Sequence, residues 1–294
     1  MTSTKKGILF ACLAVLLWAT LGVGFKLAVS RLDSFSVTIY VGIFATLFLF
    51  GNLVVRKKLN MVFQLFKKNW IFFILLGILG LGLQQIVYLK GYELLPASQV
   101  VIIFYLYPLL MVLLSKFLFR EHTSLLSYAF ILLGFIGVYV LISKGSFLGI
   151  SLSLGVLMTL LASLFWALFS VLIKHKKVDV DVGMFLFNLF GVLFLIALIP
   201  IFGFTFKVFP SEVFGMAYLG IFPTALAFIL WNKSLYLAKI SLCSNIALLT
   251  PLVSLILIVI CLHERVDVYQ GIGLILILGS VILNLRFAQD ESSK

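Results

Sequence analysis

Tyr105, Leu106, Tyr107 and Pro108 stand together in the middle of an apolar stretch long enough to cross a bilayer. A tyrosine at such depth offers a ring face for stacking and a hydroxyl that needs a hydrogen-bond partner or water. The proline withholds an N–H from its helix and kinks it. Trp18 and Trp166 also sit near the centres of apolar stretches, and Trp231 lies about a turn from the centre of its own. Tyr88, Asn232 and Asn245 lie within such stretches too, and Gln84 and Gln85 follow the glycines Gly77, Gly80 and Gly82. Trp and Tyr ordinarily gather at the membrane interfaces, as Trp70 does here. For any one of these residues, helix packing or an interhelical hydrogen bond is as good an account as ligand contact. As a set they describe a water-accessible cavity with aromatic walls, in which rings stack on a substrate and amides bond its polar head. The candidate substrate-binding residues are therefore Tyr105, Tyr107, Trp166, Trp18, Gln84, Gln85, Tyr88, Trp231, Asn232 and Asn245, with Pro108 and Pro251 as candidate hinges.

Side chains for bond-making chemistry do not assemble in the same way. The 10 acidic residues all fall at the ends of apolar stretches, in connectors or in the tail, and so do His122, His175 and His263. Cys12, Cys243 and Cys261 lie in apolar stretches without metal-ligand spacing and read as small packing residues. A membrane-embedded enzyme needs His, Asp, Glu or Cys facing one another, so no enzyme, cofactor or metal is expected. A proton-coupled carrier commonly keeps a carboxylate or histidine within the membrane; without one, facilitated movement is the simpler reading. Glu121 and Glu264, each ending a proline-containing helix, read as structural, bonded to local backbone or nearby bases.

The elements that must position these residues follow from composition. With 63% hydrophobic and 11% charged residues and a mean hydropathy of +1.25, the 294-residue chain is expected to be an integral membrane protein. Continuous apolarity, rather than short alternating segments, argues for helices over a barrel. Ten spans are predicted, at 7–29, 34–55, 69–92, 96–118, 124–143, 149–174, 182–204, 211–237, 241–262 and 268–286. The one longer connector is the basic run Arg56–Lys68. With the N-terminus inside, only Lys26, Arg31, Lys90, Lys144, Lys207 and Arg265 lie outside, leaving 16 of the 22 basic residues on the inner side. Both termini are therefore predicted cytoplasmic. The same distribution makes the +12 net charge an orientation signal, and no nucleic-acid partner is expected.

The chain also repeats itself. A shift of 143 residues lays Tyr88–Glu121 on Trp231–Glu264 without a gap, matching Lys90 with Lys233, Ser98 with Ser241, Pro108 with Pro251 and Glu121 with Glu264. Trp18-Ala19 and Lys26 recur as Trp166-Ala167 and Lys174 with the same internal spacing. Residues 1–145 and 146–294 thus read as two repeats of five helices. An odd number forces the second half to enter the membrane from the opposite side, and such inverted repeats place a binding site where the halves meet. Tyr105 and Tyr107 are not repeated; their partners are Leu248 and Thr250.

These residues resemble the EamA-type branch of the drug/metabolite transporter superfamily, through Trp18-Ala19 with Lys26, Leu95-Pro96-Ala97-Ser98, Tyr105–Pro108 before Glu121, and the second-half partners around Pro251 and Glu264. Within it the chain is most similar to bacterial aromatic amino acid exporters, through Tyr105-Leu106-Tyr107-Pro108, Trp166-Ala167 and Trp231-Asn232. Where many members carry an arginine in the second helix, this chain has the neutral stretch Thr38–Gly42. Where the aromatic exporters often carry tryptophan in helix 4, it has Tyr107. The resemblance implies a multi-pass carrier of the plasma membrane that works by alternating access, as an exporter or facilitator of amino acids or related amphipathic metabolites. The expected partners are a small-molecule substrate and the lipid bilayer, with the chain acting as a monomer. A carrier of organic cations using the same aromatic cavity is the alternative, because rings attract ammonium groups as readily as they stack.

Overall fold

Several of the long apolar helices begin where a short polar side chain accepts a hydrogen bond from the backbone three residues on. Asp33 takes the Ser36 N–H at 2.7 Å, Ser153 that of Val156 at 3.4 Å and Asp179 that of Val182 at 3.1 Å. Each satisfies one of the donors that a helix start leaves unpaired. The computed structural model describes residues 3–120, 125–143, 153–176, 178–237, 246 and 249–292.

In chain order the helices are α1 (Ser3–Ala19), α2 (Leu21–Val29), α3 (Ser34–Val55), α4 (Leu59–Gly77), α5 (Gln84–Leu94), α6 (Ala97–Phe104), α7 (Tyr107–Phe119) and α8 (Leu125–Ser143). They continue as α9 (Leu154–His175), α10 (Val180–Ala197), α11 (Ile199–Phe202), α12 (Pro210–Leu219), α13 (Ala227–Leu237), α14 (Thr250–Leu262) and α15 (Val268–Ser292). No strand occurs among the described residues. Among the described residues, seven helical stretches are long and apolar enough to cross a membrane, and three shorter apolar helices accompany them. Large apolar side chains such as Leu47, Phe117, Ile256 and Ile275 are exposed on the outside, as a lipid-facing surface requires.

Two expectations about elements need correction. The basic stretch Arg56–Lys68 is mostly helical, because α4 starts at Leu59 and bends at Asn69, where the backbone leaves helical geometry (φ −140°, ψ 35°). Val62, Leu65 and Phe66 from this stretch pack against the cluster around Phe73 and Phe187, so its apolar face has a place to be buried. The span predicted over 182–204 also ends early, at Ala197. The short α11 follows and stops at Gly203, whose φ of 75° no helix accepts. The extended chain beyond is tied back to the start of α3: Thr205 donates its N–H to Ser36 Oγ and its hydroxyl to Asp33, and accepts from the Tyr40 hydroxyl.

Several irregularities recur 143 residues apart. A π-helical segment, Ile78–Leu83, joins α4 to α5, and another, Gly220–Leu226, joins α12 to α13. Arg120 ends α7 and His263 ends α14 in the same left-handed conformation, both with φ of 54°. Gly77 lies against the Phe187 carbonyl of α10, where an added Cβ would stand 2.6 Å from the oxygen. Its counterpart Gly220 lies against the Val41 carbonyl of α3, where a Cβ would stand at 2.4 Å. In a membrane, where lipid tails are as apolar as leucine, such close approach supplies the packing that holds helices together.

Candidate functional site

Helices α1, α2, α5, α6, α7, α9, α13 and α14 and both π segments converge on one cavity of about 110 Å³. It is lined by Trp18, Gln84, Gln85, Tyr88, Tyr105, Tyr107 and Trp166, so seven of the ten candidate residues meet around one space. Trp231 is not in the lining; it packs behind Trp18, with ring centroids 5.5 Å apart. Asn232 is also absent from the lining and donates to the Phe228 carbonyl of its own helix at 2.8 Å. Asn245 lies outside the described residues. Sequence reasoning passed over Phe25, Tyr92, Phe104, Thr224, Thr250 and Ser254, which line the same space. Phenylalanine is too common in this chain to stand out, and a lone serine or threonine in an apolar helix commonly bonds its own backbone. Only the identical placement of the π segments before Gln84 and before Ala227 could have drawn attention to Thr224, and π-bulges cluster at functional sites.

The walls divide by chemistry. On one side Tyr88 packs on Phe104 at 4.3 Å, Phe104 on Tyr107 at 5.5 Å and Tyr107 on Tyr105 at 5.8 Å. Tyr88 and Tyr92 share a hydrogen bond of 3.1 Å between their hydroxyls, and Tyr105 is hydrogen-bonded with Thr250. On the other side Phe228 lies between Trp18 at 5.4 Å and Trp166 at 5.5 Å. Gln84 is 3% exposed, and neither its amide nor that of Gln85 makes a side-chain hydrogen bond to any described residue. Both are left to bond a ligand or water. Asn188 is different: it donates to the Gly42 carbonyl at 2.8 Å and to Thr46 Oγ1 at 2.7 Å, holding α10 to α3. Among the described residues, no side chain lining the cavity carries a formal charge.

Pro108 does not interrupt a continuous helix. α6 stops at Phe104, the chain turns through Tyr105 and Leu106, and Pro108 is the second residue of α7, a position that needs no backbone donor. The carbonyl left without its usual partner, four residues back, is that of Phe104. Ser163 Oγ of α9 donates to it at 3.1 Å and is itself fully buried. The tyrosines flanking the cavity are thus carried on a helix break whose open carbonyl is closed by the other half of the chain. Pro251 is likewise the second residue of α14.

Beyond the cavity the halves are joined at both ends. Glu264 accepts from the Ala97 N–H at 2.8 Å and from the Ser98 N–H and hydroxyl at 3.1 and 2.9 Å. It therefore caps the start of α6 across 166 residues rather than bonding locally as expected. Glu121 lies outside the described residues. Lys26 Nζ donates to the Tyr92 and Leu95 carbonyls at the end of α5, both at 2.7 Å. At the opposite end Arg56 pairs with Asp181 at 3.0 Å, and Lys58 reaches Asp179 at 2.8 Å and Asp181 at 2.7 Å. Burial disfavours the Lys58 ammonium, but its bonds to the two carboxylates outweigh this and raise its pKa above the usual lysine value. Lys90 pairs with Glu93 at 2.5 Å, and Lys233 lies 5.9 Å from the Phe10 ring, so neither repeat-matched lysine enters the cavity.

Known proteins match this arrangement along nearly its whole length. An uncharacterized transporter of Clostridium kluyveri is 24% identical over 95% of this chain and 93% of its own. The uncharacterized inner membrane transporter YicL of Salmonella typhimurium is 28% identical over 96% of both chains. The uncharacterized transporter YvbV of Bacillus subtilis is 29% identical over 95% of this chain and 91% of its own. One crystal structure superposes on 96% of this chain and 99% of its own with a TM-score of 0.69 at 23% identity, so the two share a fold. The model of the EamA-like transporter family matches residues 5–143 and again 153–286, and the chain belongs to that family of multi-pass membrane transporters.

Proposed function

We propose that the chain carries neutral or zwitterionic amphipathic metabolites, amino acids foremost, across the plasma membrane by alternating access, as an exporter or facilitator. The observation that carries this reading is the uncharged lining: aromatic walls with the free amides of Gln84 and Gln85 between them. Rings stack on or pack against the apolar part of the substrate, and the amides bond its polar head. A fixed charge favours a phosphate, and none lines the cavity among the described residues. In this reading the chain is a carrier, not an enzyme. Ten spans form two inverted five-helix repeats, 1–145 and 146–294, with both termini in the cytoplasm.

A space of about 110 Å³ is smaller than a 150 Å³ cavity known to hold benzene. A whole amino acid therefore enters only when the walls part. The break at Leu106 and the one at Thr20, between α1 and α2, are the points at which the lining can swing. Movement there loosens the Glu264 and Lys26 contacts at one end or the Arg56 and Lys58 pairs at the other. This is the mechanical content of alternating access for this chain.

A second reading is favoured by one feature. Tyr88, Phe104, Tyr105 and Tyr107 form a continuous aromatic wall, which attracts organic cations through their ring faces. The proteoliposome experiment separates the two: counterflow of radiolabelled amino acids is measured against that of a quaternary amine, for wild type and Gln84→Leu. Amino acid exchange that falls severalfold in Gln84→Leu fits the first reading. Exchange of the quaternary amine alone, unchanged by Gln84→Leu, transfers the assignment to the second.

A further inference from the structure

A second cavity, of about 530 Å³, lies outside the aromatic one, between α2, α12 and α14. Its walls are apolar, and it opens on the outer surface of the bundle, where Leu27 is 54% and Tyr218 38% exposed. Its inner end is marked by Thr20, whose Oγ1 accepts from the Tyr218 hydroxyl at 3.0 Å. Its other end is marked by Arg31, just beyond the last residue of α2. The eleven steps of helix and turn from Thr20 to Arg31 rise about 16 Å, about half of a ~30 Å hydrocarbon core. That length matches the depth of one leaflet.

Two charges stand at its mouth without pairing with each other. The Arg31 guanidinium makes no hydrogen bond or ion pair among the described residues. Glu212 accepts one bond, from the Phe209 N–H at 2.8 Å, and keeps further acceptor capacity. A cation and an anion lining the same crevice, each next to the end of a helix long and apolar enough to be part of a membrane span, with an apolar slot between the helices, match a zwitterionic lipid whose ammonium still carries N–H groups.

We propose that this crevice is a binding site for one phosphatidylethanolamine molecule, with its phosphate on Arg31, its ammonium on Glu212 and one acyl chain running down α2 toward Thr20. The proposal rests on the membrane embedding of α2, α12 and α14 and is independent of the transported substrate. One face of α2 lines the crevice through Leu27 and Ala28, and another lines the central cavity through Leu21, Gly22 and Phe25. A bound lipid therefore buttresses a helix that also forms the central site.

The test is native mass spectrometry of the full-length detergent-solubilised protein, titrated with dioleoyl phosphatidylethanolamine, phosphatidylcholine or phosphatidylglycerol. Wild type is expected to retain a single phosphatidylethanolamine at about tenfold lower lipid concentration than the other two. Phosphatidylcholine has no N–H for Glu212, and phosphatidylglycerol has no cation. Glu212→Gln keeps the helix cap, which glutamine also serves, and should erase the preference over phosphatidylglycerol. Arg31→Gln should weaken retention of all three. Gly215→Leu places a side chain in the crevice, where an added Cβ has no atom within 4 Å, and should abolish the single bound lipid. Equal retention of the three lipids by wild type overturns the proposal, as does undiminished phosphatidylethanolamine binding by Gly215→Leu. Should Gly215→Leu fail to fold, the Glu212→Gln comparison decides: an unchanged headgroup preference overturns the proposal and its loss upholds it.

Discussion

Gly77 and Gly220 meet a neighbouring backbone carbonyl in the same way in the two halves of the chain, whereas several residues lining the cavity do not correspond in kind. Gln84 and Gln85 of the first half stand where the second half has Ala227 and Phe228, and Tyr107 stands where it has Thr250. The frame is built twice, and Trp18 and Trp166 recur with it; the amides and tyrosines of the lining are built once. Packing constrains the frame, since two helices that touch through a glycine tolerate nothing larger there. Chemistry constrains the lining, and a single substrate has a polar head at one end only. An uncharged ligand with a defined head therefore calls for amides and phenols on one wall and mainly apolar rings on the other.

The largest effects are expected at the two glycines. Gly77→Ala and Gly220→Ala each push a Cβ to within 2.6 and 2.4 Å of a carbonyl oxygen, at a cost of about 1–3 kcal/mol of overpacking apiece. Thermal unfolding in detergent should show comparable losses for both. A loss at only one would mean that the frame is not duplicated there. Next comes the helix break. Ser163→Ala leaves the Phe104 carbonyl buried without its donor, which costs about 1–3 kcal/mol. In a Pro108→Ala background, which returns an N–H to the helix, the same substitution should cost less, and a double-mutant cycle measures the difference. Strict additivity would show that the serine does not serve the proline.

Two amide substitutions sharpen the division between frame and lining. Gln84→Leu should weaken substrate binding about three- to tenfold with little change in melting temperature. Asn188→Leu should do the reverse, because its amide holds α10 to α3. The smallest effect concerns Asp33. Burial disfavours its charge, yet bonds from Ser36 and Thr205 outweigh that and hold its carboxyl below the usual value of 3.8. A lowered pKa stabilises the fold above the unfolded-state value, and that contribution disappears as pH falls through the folded-state value. The melting-temperature gap between wild type and Asp33→Asn should therefore narrow on acidification below about pH 4. A gap that stays constant would show that the carboxylate charge contributes nothing.

Much of this was legible in the residues themselves. The helical class followed from continuous apolarity, and seven lining residues were found from one physical oddity, polar aromatics and amides at membrane depth. Asp33 and Asp179 announce helix starts through side chains that cap locally. Contacts without local pattern stayed hidden: Glu264 caps α6 from 166 residues away, and Asp181 pairs with Arg56 and Lys58 across 125 and 123. Trp231 and Asn232 looked equivalent to the lining residues because depth in a span says nothing about which face a side chain occupies. That is decided by helix rotation, which the neighbours set. The basic connector Arg56–Lys68 hid a helix for a related reason: its charges dominate composition, while Val62, Leu65 and Phe66 supply the buried face.

In the proposed mechanism the aromatic and amide cavity holds the substrate. Thermal-shift titration of the purified protein against neutral amino acids, quaternary amines and nucleosides, repeated for Tyr105→Ala, tests it most directly. The expected result is stabilisation by a neutral or zwitterionic amphipathic compound, lost in Tyr105→Ala while the unliganded melting temperature holds. A stabilising ligand whose effect survives Tyr105→Ala unchanged would contradict it.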